Sequence, residues 1–223
     1  MAETNELINP GSIGSITAEL LENAKPFLEL MMQNECALRE LETKLNVLND
    51  EFSTIYNYNP IESIKTRVKD PMSIVEKMNR KGVPATVENI EKTLKDIAGV
   101  RVICSFPEDI YAIADILSTQ DDITIISRKD YIANPKPNGY RSLHLIVGIP
   151  IFLSTGKKIM KAEVQFRTIA MDFWASLDHK LKYKHNINNA DEISAQLREC
   201  AEAINDIDYR MQEIRNRIER ESR

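Results

Sequence analysis

The sequence has no long apolar run, no excess of positive charge and no cysteine pattern, and each absence removes a class of protein. No stretch approaches the ~18 apolar residues of a membrane helix. The first residues include Glu3 and Glu6 and lack a basic-then-apolar segment, so no secretory signal is expected. Cys36, Cys104 and Cys200 are odd in number, widely spaced and set among apolar residues. Without a CxxC or a Cys/His cluster, neither a disulfide framework nor a zinc site is expected, and the thiols read as those of a reduced, cytoplasmic protein. The formal net charge of −5 argues against a general nucleic-acid binder. No internal repeat or low-complexity linker breaks the chain.

What is there is enough for a packed core: 223 residues, 43% of them hydrophobic. Residues 1–16, with Pro10, Gly11 and Gly14, read as a flexible N-terminus. Residues 17–58 read as a helical region: a short helix from Thr17 to Ala24, then a longer one opened by Pro26. Along that second helix Phe27, Met31, Leu38, Leu41, Leu45, Leu48 and Phe52 recur at helical spacing to about Tyr56. Residues 59–185 read as a mixed core. Helices are predicted from Asp70-Pro71 to Arg80, over Val87–Leu94, over Pro107–Ser118 and over Met171–Leu181. Strands are predicted over Ala98–Ser105, Ile123–Tyr131, Ser142–Phe152 and Lys157–Arg167, the last two joined at Gly156. In residues 186–223, Ile193, Leu197, Cys200, Ile204, Ile207, Met211, Ile214 and Ile218 alternate by four and three, a heptad seam that must bury against the N-terminal helix or a second subunit. The expected fold class is α+β, a mixed β-sheet flanked by helices, with long N- and C-terminal helices.

Three polar clusters exceed what folding requires. In the first, Lys65, Arg67 and Lys69 precede a helix on which Ser73, Lys77 and Arg80/Lys81 share a face, a row of cations suited to a polyphosphate. In the second, Asp96 stands just before a strand that supplies Arg101; such a carboxylate can ligate Mg²⁺, and a guanidinium can stack on a base or pair with phosphate. In the third, Gly139 permits a tight turn begun by Pro137-Asn138. Tyr140, Ser142 and His144 then share one strand face, while Leu143, Leu145 and Val147 face a core. On the paired strand Glu163, Gln165 and Arg167 share a face opposite Val164 and Phe166. Tyr140 can stack on a base, Lys136 and Arg141 can meet phosphate, and Glu163 can act as general base for a sugar hydroxyl. The combination points to a site that binds a purine nucleotide and activates a hydroxyl.

The ordered set Arg67-x-Lys69, Asp96-x-x-Gly99-x-Arg101, Asp130-Tyr131, Asn138-Gly139-Tyr140-Arg141-Ser142-x-His144 and Glu163-x-Gln165-x-Arg167-Thr168 resembles the RelA/SpoT synthetase domain. With flanking helices and this length, the chain looks like a small alarmone synthetase. The resemblance implies a nucleotidyltransferase-like sheet and transfer of the β,γ-pyrophosphate of ATP to the 3′-hydroxyl of GDP or GTP, with Mg²⁺ as cofactor. It implies a catalytic set of Asp96, Arg101 and Glu163, with Asp96 and Glu163 ligating the metal. Arg67 and Arg101 would sandwich the adenine, and Lys69, Ser73, Lys77, Arg80 and Lys81 would hold the ATP phosphates. Tyr140 would stack on guanine beside His144 and Gln165. Lys129, Lys136, Asn138, Arg141 and Arg167 would complete the GDP/GTP site. The family's hydrolase domain needs a His-Asp motif that this sequence lacks, so synthesis without hydrolysis is expected. A subgroup that binds pppGpp in a central cleft has a Phe-x-Thr segment before the motif arginine; Ser63 and Lys65 stand there in this chain, and Asp172 stands in place of an asparagine. That effector site is therefore not implied. The family suggests a homotetramer, with no membrane or nucleic-acid partner. Two other readings share the scaffold: a toxin that pyrophosphorylates the 3′ end of tRNA, and a non-catalytic nucleotide-binding regulator.

Overall fold

The computed structural model describes residues 10–183 and 190–221. A single helix, α1 (Pro10–Tyr56), leads into β1 (Ile61–Val68), α2 (Pro71–Arg80), α3 (Val87–Thr93), β2 (Ala98–Cys104), α4 (Pro107–Ser118), β3 (Thr124–Asp130), β4 (Leu143–Leu153), β5 (Gly156–Thr168), α5 (Ile169–Tyr183) and α6 (Ala190–Glu221). The strands form one sheet in the order β1-β2-β5-β4-β3, with β2 and β5 parallel and the other neighbours antiparallel. This is the expected α+β architecture.

Strand alternation divides the sheet into two faces. Val100, Val102 and Cys104 of β2, Leu143, Leu145, Val147 and Ile149 of β4, and Ala162, Val164 and Phe166 of β5 are buried against Ala37, Leu38, Leu41 and Leu45 of α1 and Ile110, Ile113 and Leu117 of α4. A smaller core of Ile74, Met78, Ile90, Leu94 and Ile97 fastens α2 and α3 to Leu30 of α1. The opposite face of the sheet carries the polar residues.

Three expectations change. Residues 10–16 are helical, and α1 runs unbroken through Pro26; the expected short helix and its longer successor are one element. Gly11 and Gly14 each weaken a helix by about 1 kcal/mol and Pro26 by about 3 kcal/mol, a cost that does not forbid it. The second change is β1, an edge strand absent from the sequence reading. The third concerns the heptad seam. The helix α6 lies chiefly on α5 and α4 rather than on α1, which leaves a second subunit as the partner for the exposed part of its seam, and it docks through Ala201 and a row of polar residues. Ala201, Asp208 and Gln212 are buried, while Ile207, Met211, Ile214 and Ile218 are 59, 51, 46 and 57% exposed. Residues 1–9, 184–189 and 222–223 lie outside the described residues.

The polar stripe explains the docking. Asp208 accepts a hydrogen bond from Thr168 Oγ1 at the end of β5. Gln212 donates to Glu108 and accepts from its amide. Arg215 lies over the rings of Tyr58 and Phe106, 4.2 and 4.9 Å from their centroids, and donates to Asp109 Oδ1 at 2.8 Å. Burial, reinforced by Asp109, pushes the Tyr58 phenol up. Truncating Arg215 leaves the buried Asp109 carboxylate without its cation, with only the Tyr58 hydroxyl and the Phe106 amide as donors. Arg215→Ala is expected to cost about 3 kcal/mol of stability, read as a lower urea midpoint with an unchanged slope.

Candidate active site

The open face of the sheet brings five strands' polar residues into one row. Backbone pairing sets Lys65 opposite Arg101 and Arg67 opposite Gly99 across β1 and β2. It sets Gly99 beside Glu163 and Arg101 beside Gln165 across β2 and β5. His144 of β4 then pairs with Gln165 on one side and with Lys129 of β3 on the other. The parallel pairing of β2 with β5 matters most, because it carries Asp96, just before β2, toward Glu163.

Two cation-lined clefts open on this face. One, of about 350 Å³, is lined by Lys65, Arg67, Lys69, Arg101, Gln165, Asp96 and Glu163. The other, of about 520 Å³, is lined by Lys77, Lys81, Lys95, Lys129, Tyr131, Lys136, His144, Asp96 and Glu163. Asp96 and Glu163 line both. A protein of net charge −5 thus gathers nine of its 29 lysines and arginines around two carboxylates, an arrangement that focuses positive potential where two polyanions would meet.

Both carboxylates are held ionised. Burial raises the Asp96 pKa, but hydrogen bonds from Lys69 and Lys77, at 2.7 and 2.6 Å to Oδ2, outweigh burial and bring it below the usual carboxylate value. Burial likewise raises Glu163, and the contacts of His144 Nδ1 at 3.2 Å and Gln165 Nε2 at 2.8 Å bring it down. The charge of Asp96 pushes Glu163 up, which shows that the two feel one another.

The aromatic part of the site borders the larger cleft, which Tyr131 and His144 line and Tyr140 does not. The rings of Tyr131, Tyr140 and His144 meet edge to face, with centroids 5.2–6.2 Å apart. Lys136 Nζ lies 4.7 Å from the centroids of both tyrosines. Tyr131, quoted at sequence level only within a motif, and Lys95 were not singled out. Their signals were simple: Tyr131 stands two residues after Lys129, and Lys95 precedes Asp96.

Several sequence-chosen residues fall elsewhere. Lys77 of α2 and the cap residue Lys81 stand roughly 40–80° from the buried Ile74–Met78 stripe and line the larger cleft, whereas Ser73 and Arg80 stand roughly 120–140° away and line neither cleft. The Ser73 amide is occupied with the Asp70 cap. Asn138 serves its own loop: its Oδ1 accepts from the Tyr140 amide and its Nδ2 donates to Asp178 at 3.4 Å. Arg141 donates to the Ile132 carbonyl and faces Trp174 and Ala201. Ser142 does not share a face with Tyr140, because β4 begins only at Leu143; it is fully buried and donates to the Phe166 carbonyl. Gln165 lies on the smaller cleft. Arg167 is buried and lines neither.

The loop that presents Tyr140 is fixed from below. Gly139 has φ of +85°, and a Cβ there would meet the Ala201 side chain at 2.5 Å. Only glycine satisfies both conditions, so α6 sets the height of the loop.

Comparison with known proteins agrees with this geometry. The family model for the region found in RelA / SpoT proteins matches residues 66–188. Over 183 residues, 82% of this chain and 87% of the other, the sequence is 46% identical to GTP pyrophosphokinase YwaC of Bacillus subtilis strain 168. The fold is similar to that of small alarmone synthetase 1 from Bacillus subtilis bound to its product pppGpp, with a TM-score of 0.79, 36% identity and coverage of 87% of this chain and 98% of that one. It is also similar to the same synthetase bound to AMPCPP, with a TM-score of 0.73, 32% identity and coverage of 88% and 99%. The family match spans Arg67 of β1, Asp96 just before β2, Tyr140 in the loop before β4 and Glu163 of β5, and Arg67, Asp96 and Glu163 among them line the clefts: the chain belongs to the RelA/SpoT family.

Proposed function

We propose that this chain is a GTP pyrophosphokinase: it transfers the β,γ-pyrophosphoryl group of ATP to the 3′-hydroxyl of GDP or GTP, yielding ppGpp or pppGpp. The observation that carries this reading is the Asp96–Glu163 pair shared by two cation-lined clefts. One nucleotide in each cleft brings its reacting group to the carboxylates between them. The relatives named GTP pyrophosphokinase, and those seen with pppGpp and with AMPCPP, support the same two ligands.

The smaller cleft is the ATP site in this reading. Arg67 and Arg101, both on its wall, flank the adenine, and Lys69 on that wall together with Lys77, which reaches Asp96 from the larger cleft, exchange Asp96 for phosphate oxygens. The larger cleft takes the acceptor. Tyr140 and Tyr131 offer aromatic faces to guanine, with stacking worth ~1–3 kcal/mol per base, and Lys129, Lys136 and Lys95 offset the acceptor phosphates. Glu163 accepts the proton of the 3′-hydroxyl. The new bond forms between the 3′-oxygen and the β-phosphorus. The bond from that phosphorus to the α,β-bridging oxygen breaks, and AMP leaves with the electron pair. Transfers of this type depend mainly on positioning and charge stabilisation, which is what two rows of cations supply.

Mg²⁺ suits the donor set. Asp96 and Glu163 are hard oxygen ligands held ionised. Mg²⁺ takes one or two carboxylates and completes its shell with substrate phosphates and water. Bound there, it would supply charge neutralisation at the ATP phosphates. The reading also includes synthesis without hydrolysis, a cytoplasmic location and a homo-oligomer, with a tetramer the family's suggestion. The exposed apolar stripes of α6 and of α5, where Ile169, Phe173 and Leu177 are 53, 58 and 41% exposed, support the oligomer. No helix among the described residues is long and apolar enough to cross a membrane.

The chemistry has a simple signature. Incubation with ATP, Mg²⁺ and GDP releases AMP in step with GDP consumption; release of ADP instead would overturn the reaction type. Gly139→Ala adds about 1–3 kcal/mol of loop strain and is expected to raise KM for GDP severalfold while leaving KM for ATP near its wild-type value.

A further inference from the structure

We propose that Arg167 is a positioning residue that acts on Glu163 through two hydrogen-bonded arms, rather than a ligand of either nucleotide. This inference rests on the reading of Glu163 as the general base. The Arg167 side chain is 6% exposed, and it lines neither cleft. Both terminal nitrogens of its guanidinium are engaged inside the protein, while Nε is buried without a hydrogen-bond partner. Nη1 donates to Asp172 Oδ1 at 3.0 Å, and Nη2 donates to Tyr140 Oη at 2.8 Å and to Gln165 Oε1 at 3.0 Å.

A guanidinium can only donate, and this starts each arm in a fixed direction. Because Gln165 Oε1 accepts from Arg167, its amide is oriented with Nε2 toward Glu163, where it donates to Oε2 at 2.8 Å. Because Tyr140 Oη accepts from Arg167, the hydroxyl proton is free for His144 Nε2, 2.9 Å away. The imidazole then presents Nδ1–H to Glu163 Oε1 at 3.2 Å. Both carboxylate oxygens of Glu163 are therefore held by donors whose orientation traces to one nitrogen of Arg167. A planar fork is needed, since Asp172, Tyr140 and Gln165 are met at once in fixed geometry; a lysine ammonium lacks that geometry. Asp172 anchors the fork from behind, and it also meets Arg101 at 3.2 Å and Lys65 at 3.6 Å.

Steady-state kinetics of wild type, Arg167→Lys and Arg167→Met with ATP, Mg²⁺ and GDP, together with calorimetric binding of GDP alone, test this. Wild-type turnover tests the proposed function by itself; the variants are read as ratios to it. Arg167→Lys keeps a cation beside Asp172 and is expected to melt close to wild type, yet to lose at least about tenfold in kcat. Arg167→Met is expected to lose about a hundredfold, the scale of a small misplacement of a reacting group. GDP affinity and both KM values stay within about fivefold. In a Tyr140→Phe/Gln165→Leu background, which already lacks both arms, Arg167→Met lowers kcat no further. Full turnover in Arg167→Lys, a loss confined to KM or affinity for GDP, or additive losses in that background would each overturn the assignment.

Discussion

Glu163→Gln should lower kcat by about a thousandfold, within the ~10²–10⁴ range of general-base effects, while ATP and GDP bind within a few-fold of wild type. The amide matches the carboxylate in size but cannot take a proton or carry charge. The physical setting sharpens the expectation. Glu163 is held below the ordinary carboxylate range by His144 and Gln165 against the effect of burial, so it is ionised at neutral pH but is a weak base. A weak base suits a loose transition state, in which little proton transfer precedes bond formation at phosphorus. Its placement between the clefts and its charge therefore contribute alongside its basicity, and the amide removes the charge as well. Calorimetry of each nucleotide beside turnover separates the two effects: lost turnover with retained binding supports the role, and turnover near wild type contradicts it.

Asp96→Asn is the second large effect. Asp96 takes Lys69 and Lys77 on one oxygen, so neutralising it leaves two ammonium groups facing each other without their anion and removes one of the two carboxylates proposed to ligate Mg²⁺. A loss of at least about a hundredfold in kcat/KM for ATP is expected, comparable with removing one preorganised electrostatic contact. The Mg²⁺ concentration for half-maximal rate is expected to rise as well. A variant within tenfold of wild type, with the same Mg²⁺ dependence, would remove Asp96 from the site.

Much of this was readable in the sequence because period-two alternation is a local property. Val164 and Phe166 inward, with Glu163, Gln165 and Arg167 on the other face, follow from the residues of β5 alone. The same logic failed at Ser142, since it assumed a strand where the chain is still a loop. The strand β1 went unseen because IESIKTRV is polar, irregularly buried and broken in register between Ile61 and Ser63, as an edge strand can be. Pairing order was not legible at all: nothing near Asp96 announces that β2 lies parallel to β5 rather than beside its sequence neighbour β3. The docking face of α6 was equally hidden. Its apolar seam drew attention, yet Asp208, Gln212 and Arg215 hold it, through partners on β5 and α4 and through Tyr58 between α1 and β1. Arg167 shows the same limit in the site itself. Its strand face was readable, but its burial depends on Asp172 from α5 and Tyr140 from the loop before β4.

The most direct test of the central claim tracks the γ-label of ATP in the presence of Mg²⁺, with GDP, GTP and uncharged tRNA offered as acceptors in parallel and the products separated by chromatography. The two-cleft account predicts that label moves onto GDP or GTP as ppGpp or pppGpp, and that Glu163→Gln abolishes the transfer. Label found only on tRNA, or no transfer to any acceptor, would contradict it.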